Sequence, residues 1–345
     1  MSVSHNSLTE GQSAEQHRFV FRISLAASIG FTLGHLLGWD FPFLPSLLAV
    51  QLLSVRRPLD LKRAFGFVAL MAVGCMFSLL IALIFIDRAF NFALVFALII
   101  FLEFLALARG KAAAGILLIT SSFVPLMALS SLELAYALVH DLIVGSIIAA
   151  LLTFLVHALF PSHPVAEQAP PNAIDESTPV RAALANTAVL MSLFVYFMGS
   201  GTPTSIIVIM TTAITILQQS AIAGKGAALG LFMGNIVGGF AATVAYLLIS
   251  LLPAPAFLFL VVFLFALLFG TKVAEGGDMA PIYTVGIATF LVVLGLGLSP
   301  LPQDSGTLFL SRVWTVAVAS LYTVGVASVL RALFLESIGS SARTS

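Results

Sequence analysis

The residues best placed to do chemistry in this chain are ionisable side chains set inside long apolar runs. His140 and Asp141 are adjacent in LELAYALVHDLIVGSIIAALL. A carboxyl that can change protonation state while shielded from water is what proton-coupled movement of a solute requires, and intramembrane ionisable groups usually face a cavity or a partner. Successive helical residues point about 100° apart, so the two cannot both face one partner. Arg312 is expected at a comparable depth in the last apolar run, so an Asp141–Arg312 ion pair is expected, read either as part of proton coupling or as a static structural pair.

Arg22 and Arg181 each lead an apolar run, RISLAASIGF and RAALANTAVL. Guanidinium forks match carboxylates in geometry, so the pair could receive an organic anion; alternatively each extends to the headgroups and fixes orientation. Asn186 and Thr187 follow Arg181 by about one turn, and Asn235 lies in GNIVGG; all three are hydrogen-bond formers where a solute could pass, with helix-to-helix bonding as their ordinary role. Glu103 in FLEFLALARGK reads as paired locally with Arg109 and Lys111. His35 and His157 read as interfacial or hydrogen-bonded histidines. No His, Cys or carboxylate cluster has metal-ligand spacing, no cofactor is implied, and an adjacent His-Asp pair without a nucleophile does not make an enzyme. The Gly-Lys-Gly at 224–226 lacks the fuller spacing of a phosphate loop. Gly226, Gly230, Gly234 and Gly238 recur every fourth residue instead, as a ridge for close helix packing.

The elements that carry these residues follow from composition. Sixty per cent of the 345 residues are hydrophobic and 9% are charged, against about 45–50% and about 25% in soluble domains. Roughly 20 apolar residues span a bilayer core as a helix, and the sequence predicts such spans at 19–38, 40–54, 64–86, 90–108, 112–130, 134–160, 181–199, 203–219, 226–251, 254–271, 279–298 and 310–334. Barrel strands would alternate over about ten residues, which this chain does not do. The fold class is therefore an all-α integral membrane protein of about twelve transmembrane helices. Residues 1–18 lack the basic start and apolar core of a cleaved leader and read as a polar tail. The single cysteine, Cys75, excludes an intramolecular disulfide, and zero net charge without a basic tract gives no sign of nucleic acid.

With the N-terminus inside, thirteen of the fifteen Lys and Arg residues fall at cytoplasmic positions, leaving Arg88 and Arg312 outside; by the positive-inside rule both termini are cytoplasmic. A Pro-rich polar linker at 161–180 separates residues 19–160 from 181–334, and 335–345 is a C-terminal tail. An offset of 160 lays Gly226 on Gly66, Gly234 on Gly74 and Gly270 on Gly110, and one of 159 lays Arg181 on Arg22. The chain reads as two parallel six-helix repeats about an axis along the membrane normal.

Each half thus opens with an arginine-led helix, continues with a Pro-containing short helix, FPFLPSLLAV at 41 and GTPTSIIVIM at 201, and then has a basic loop and a glycine-bearing third helix, GCMFS at 74 and GNIVGG at 234. In this the chain resembles the fusaric acid resistance and aromatic acid exporter superfamily, in particular its small branch without cytosolic domains. It departs from many members in having Met71 and Leu231 where a basic residue often precedes the glycines. The resemblance implies a bacterial inner-membrane exporter of small amphiphilic, anionic aromatic compounds, without a cofactor and driven by the proton gradient. It also implies a periplasmic membrane-fusion adaptor and an outer-membrane channel as partners. A scaffold for such an adaptor and a passive organic-anion channel are the alternatives, and a homo-oligomer is compatible with either.

Overall fold

The computed structural model describes residues 3–55, 59–111, 113–161, 177–200, 227–277 and 279–299. Among these residues all regular structure is helical. The helices are α1 (Val3–Leu36), α2 (Leu44–Ser54), α3 (Leu61–Phe85), α4 (Ala89–Ala108), α5 (Ala113–Ser130), α6 (Leu132–Leu159), α7 (Ser177–Ser200), α8 (Ala227–Leu251), α9 (Pro255–Glu275) and α10 (Ala280–Leu298). Eight helical stretches are long and apolar enough to cross a membrane: Ser13–Leu36, Leu61–Phe85, Ala89–Ala108, Ala113–Ser130, Leu132–Leu159, Met233–Leu251, Pro255–Glu275 and Ala280–Leu298. Expected spans 203–219 and 310–334, and Arg312 with the second of them, lie outside the described residues.

Two expectations change here. The polar stretch before residue 19 is helical from Val3 and continuous with the first span; once the apolar part has met the cost of nucleation, each further turn is cheap to add. The expected span 40–54 is an 11-residue helix, which at 1.5 Å per residue rises only about 16 Å, roughly half of a bilayer core. Gly38, with φ +68°, ends α1 in the left-handed conformation that glycine accepts without strain. Residues 39–43 then run without helix, with Pro42 in the turn and Pro45 in the first turn of α2.

The chain forms two compact units. One comprises Met1–Ala69, His140–Gln168 and Met233–Val313. Its core is the start of α2, where Phe41 and Phe43 are buried and glycines of three helices close around them. A Cβ on Gly30 of α1 would lie 2.9 Å from the Ser46 backbone nitrogen, one on Gly295 of α10 would strike Phe43, and Gly145 of α6 faces Pro45. In the same unit α1 lies along α9 and α2. Gly234 and Gly238 of α8 meet α10 at Ile282, Val285, Gly286 and Thr289 with no room for a methyl group, so those two members of the predicted ridge are a packing seam. Gly226 lies outside the described residues.

The other unit comprises Leu70–Val139, Ala169–Phe232 and Trp314–Ser345. Here α4 lies along α5 and α7, held by Phe92, Phe96 and Phe194, whose ring centroids are 4.6–6.0 Å apart. Gly74 of α3 meets Leu117 and Thr120 of α5. Residues 19–160 and 181–334 therefore each contribute to both units.

The glycine overlay at offset 160 does not hold in the fourth helices. Gly110 ends α4 with φ +78° and Gly276 ends α9 with φ +76°, 276 − 110 = 166 positions later, whereas Gly270 lies inside α9 against Val20. The same offset separates the end of α3 from that of α8 (251 − 85) and the start of α4 from that of α9 (255 − 89). Phe21, Leu25 and Ile29 mark the less buried edge of α1, and Val180, Leu184 and Ala188, each 159 positions later, that of α7.

Candidate functional site

The break between α1 and α2 sets a problem that Asp141 solves. Leu37, Gly38 and Trp39 return their N–H groups to carbonyls of the last turn of α1. Phe41 is fully buried and precedes α2, so its N–H has no helical acceptor, and a buried N–H without one is rare because it is costly. Asp141 Oδ2 accepts it at 3.1 Å.

Helix α6 can place a carboxylate there because Asp141, Gly145 and Ala149 recur at four-residue spacing and make one narrow face. Gly145 on that face leaves space for Pro45, and Asp141 itself is 3% exposed.

The second oxygen of Asp141 faces outward. His140 Nδ1 lies 3.0 Å from Asp141 Oδ1, and the His140 side chain is 59% exposed. Trp39 sets its ring edge-on to the imidazole at 5.7 Å. The two side chains that the sequence separates by about 100° thus meet each other, because each needs only to turn toward the shared edge of the helix. The result is a line from an exposed imidazole, through a buried carboxylate, to the backbone N–H at a helix break. Ionised, Asp141 accepts from both neighbours; protonated, one of its oxygens becomes a donor and one of the two contacts must change.

Residues 20–156 match the model of a family described as Protein of unknown function (DUF2955). That stretch contains Arg22, Phe41, Glu103, His140 and Asp141. No curated protein and no solved structure matches the chain.

Arg22 is buried on α1 and does not extend into solvent. Its Nη2 lies 2.5 Å from Glu15 Oε1, and its Nη1 donates to the Phe160 carbonyl at 3.2 Å. Glu15, in the stretch expected to be a tail, therefore already occupies the guanidinium that an anion would use. Arg181 of α7 is half-buried.

The uncharged candidates are all buried. Thr187 donates to the Ala183 carbonyl within its own helix at 2.7 Å, while Asn186 Oδ1 has no partner among the described residues. Asn235 Oδ1 accepts from Thr289 Oγ1 of α10 at 2.5 Å, and its Nδ2 has no partner among the described residues. His157 Nδ1 meets the Thr153 carbonyl at 2.8 Å, the hydrogen-bonded role expected of it. His35 is exposed.

Glu103 does not pair with Arg109 or Lys111. Gly110 turns the chain away after α4, and the carboxylate bonds Ser121 of α5 at 2.6 Å. Among the described residues, no group of three or more His, Cys, Asp or Glu side chains could hold a metal ion.

Proposed function

We propose that this chain is a proton-driven exporter of small anionic aromatic compounds in the inner membrane of a bacterium, and not an enzyme. One observation carries the reading: a buried carboxylate, Asp141, bonded on one side to an exposed imidazole and on the other to the backbone at a broken helix. Interrupted helices with polar groups gathered at the break are how membrane transporters build binding and coupling sites, and an intramembrane carboxylate is expensive unless it has such work. In this reading Asp141 and His140 handle protons, with Arg312 as a further partner of the carboxylate. Arg22, Arg181, Asn186, Thr187 and Asn235 belong to the path of the anion.

The architecture that goes with it is two parallel six-helix repeats with cytoplasmic termini. The pairing of α1 with α9 in one unit and of α7 with α4 in the other supports this, since these are the first and fourth helices of each half, exchanged. The common offset of 166 in the third and fourth helices points the same way. The resemblance to the fusaric acid resistance and aromatic acid exporter superfamily supplies the substrate class and the partners, a periplasmic membrane-fusion adaptor and an outer-membrane channel.

The test is transport by the purified chain in liposomes. Aromatic acids should accumulate when a proton gradient is imposed and should not when it is collapsed. Anion currents that need no pH gradient would make the protein a channel. Failure to move any such acid, together with co-purification of a membrane-fusion adaptor, would make it a scaffold.

A further inference from the structure

We infer that Glu103, with Ser121 of α5, forms a second proton-binding site inside the membrane part of the chain. Its use as a coupling site rests on the exporter reading above, but its occupancy by a proton does not.

The first observation is where the carboxylate points. Phe92, Phe96, Ile100, Glu103 and Phe104 form the buried stripe of α4. The exposed stripe is Leu94, Leu98 and Leu102, the last of these 52% exposed. A glutamate serving only to anchor the helix at the headgroups would lie on that second stripe; Glu103 lies on the first, against protein.

The second observation is that its partners are too few for a negative charge. Ser121 Oγ donates to Glu103 Oε1 at 2.6 Å, and Glu103 Oε2 has no partner among the described residues. Ser78 Oγ comes within 3.4 Å of Ser121 Oγ, but its proton has a better acceptor in the Gly74 carbonyl at 2.7 Å. An ionised carboxylate offers about four acceptor sites, and here one hydroxyl serves them. Burial of a charge so poorly compensated is costly, and gaining a proton is the usual remedy.

Among the described residues no cation takes that place. Helix α5 carries no ionisable side chain. Among the described side chains, α7 contributes Arg181 and α3 contributes Lys62, Arg63 and the buried thiol of Cys75. Arg109 and Lys111 follow the end of α4. None of these forms an ion pair with Glu103, whose one polar partner is Ser121. The residue that meets the carboxylate, Ser121, also has a carbonyl without its helical donor, because Pro125 four residues later has no N–H. An acceptor of this kind suits a protonated carboxyl. The exchange is simply –COO⁻ + H⁺ ⇌ –COOH at Glu103, with no other reactant.

The experiment is labelling of the full chain in liposomes with dicyclohexylcarbodiimide, which adds to protonated carboxyls in apolar surroundings, followed by peptide mass spectrometry across a pH series. Expected are an adduct on Glu103 that grows as pH falls, no adduct at that position in Glu103→Gln, and a displaced pH midpoint in Ser121→Ala. Two results overturn the assignment: protection of Glu103 by sodium at fixed pH, which would make it a metal-cation site, or labelling of other buried carboxyls while Glu103 stays unmodified at every pH. If no carboxyl is labelled, potentiometric titration decides. The parent protein must take up a proton that the equally folded Glu103→Gln does not, and coincident curves overturn the site. None of these readouts requires transport, so a failed exporter reading and a failed proton site give different results.

Discussion

Asp141 and Phe41, a hundred positions apart, are joined by a 3.1 Å hydrogen bond from a buried backbone N–H to a carboxylate oxygen. The bond does two things at once: it lets the chain leave α1 and begin α2 inside apolar surroundings, and it makes that junction depend on the state of one ionisable group.

These two roles can be separated by mutation. Asp141→Asn keeps an oxygen that can accept from Phe41 and an amide that can donate to His140, but it cannot exchange a proton. It should fold and insert with thermal stability near that of the parent while losing proton-driven accumulation. Asp141→Ala leaves the Phe41 N–H unpaired, at a cost of about 1–3 kcal/mol, and should lower the detergent-solubilised melting temperature as well. Undiminished accumulation by Asp141→Asn would remove Asp141 from the coupling mechanism.

The start of α2 should also be intolerant of added volume. An alanine at Gly34 would drive its methyl into the Pro42 backbone, which cannot rotate away as a side chain can, and overpacking of this kind costs about 1–3 kcal/mol. At Gly66 in α3 an added methyl group would have nothing within 4 Å of it. Alanine there should be neutral or stabilising by up to about 1 kcal/mol through helix propensity. The pair of melting temperatures checks the packing independently of any transport assay; equal values would refute it.

Arg22 gives a prediction about substrate. Because Glu15 holds the guanidinium at 2.5 Å, an incoming carboxylate must displace it, and Glu15→Gln should raise the apparent affinity for an anionic aromatic substrate several-fold in a transport titration. Arg22→Gln should lower it. If Glu15→Gln changes stability and leaves KM unchanged, the pair is structural and the anion takes another path.

The helices themselves were legible because about 20 consecutive apolar residues admit few alternatives in water or lipid, and Arg22 and Asp141 stood out because charge inside such runs is rare. Their partners were less legible. The acceptor for Phe41 is a backbone contact across a hundred residues, which no local pattern encodes. Glu15 and Arg22 are seven apart, two turns along one helical face, and would have been paired had the polar stretch been read as helix. Nearby Arg109 and Lys111 misdirected the reading of Glu103, since proximity in sequence does not survive a helix end at Gly110. Gly270, laid on Gly110 by the sequence overlay, lies inside α9 while Gly110 ends α4, and glycines are too common here for their spacing alone to fix such a correspondence.

The bond between Asn235 and Thr289 tests whether a buried polar pair stabilises the seam of α8 and α10 or serves the solute. Thr289→Val keeps the shape and removes the donor, leaving both Asn235 polar atoms unpaired. Polar contacts between membrane helices are worth about 0.6 kcal/mol on average, with a maximum of about 1.7, so a structural pair should show a small loss in melting temperature and an unchanged KM. A path residue should show the reverse emphasis, with KM raised several-fold at nearly constant stability. Among the described residues the Asn235 amide NH2 has no partner even in the parent, and a group that only stapled two helices would gain from having both its polar atoms satisfied. The shift is therefore expected in KM, and substrate titrations of Thr289→Val and Asn235→Ala side by side would establish it or assign the pair to packing alone.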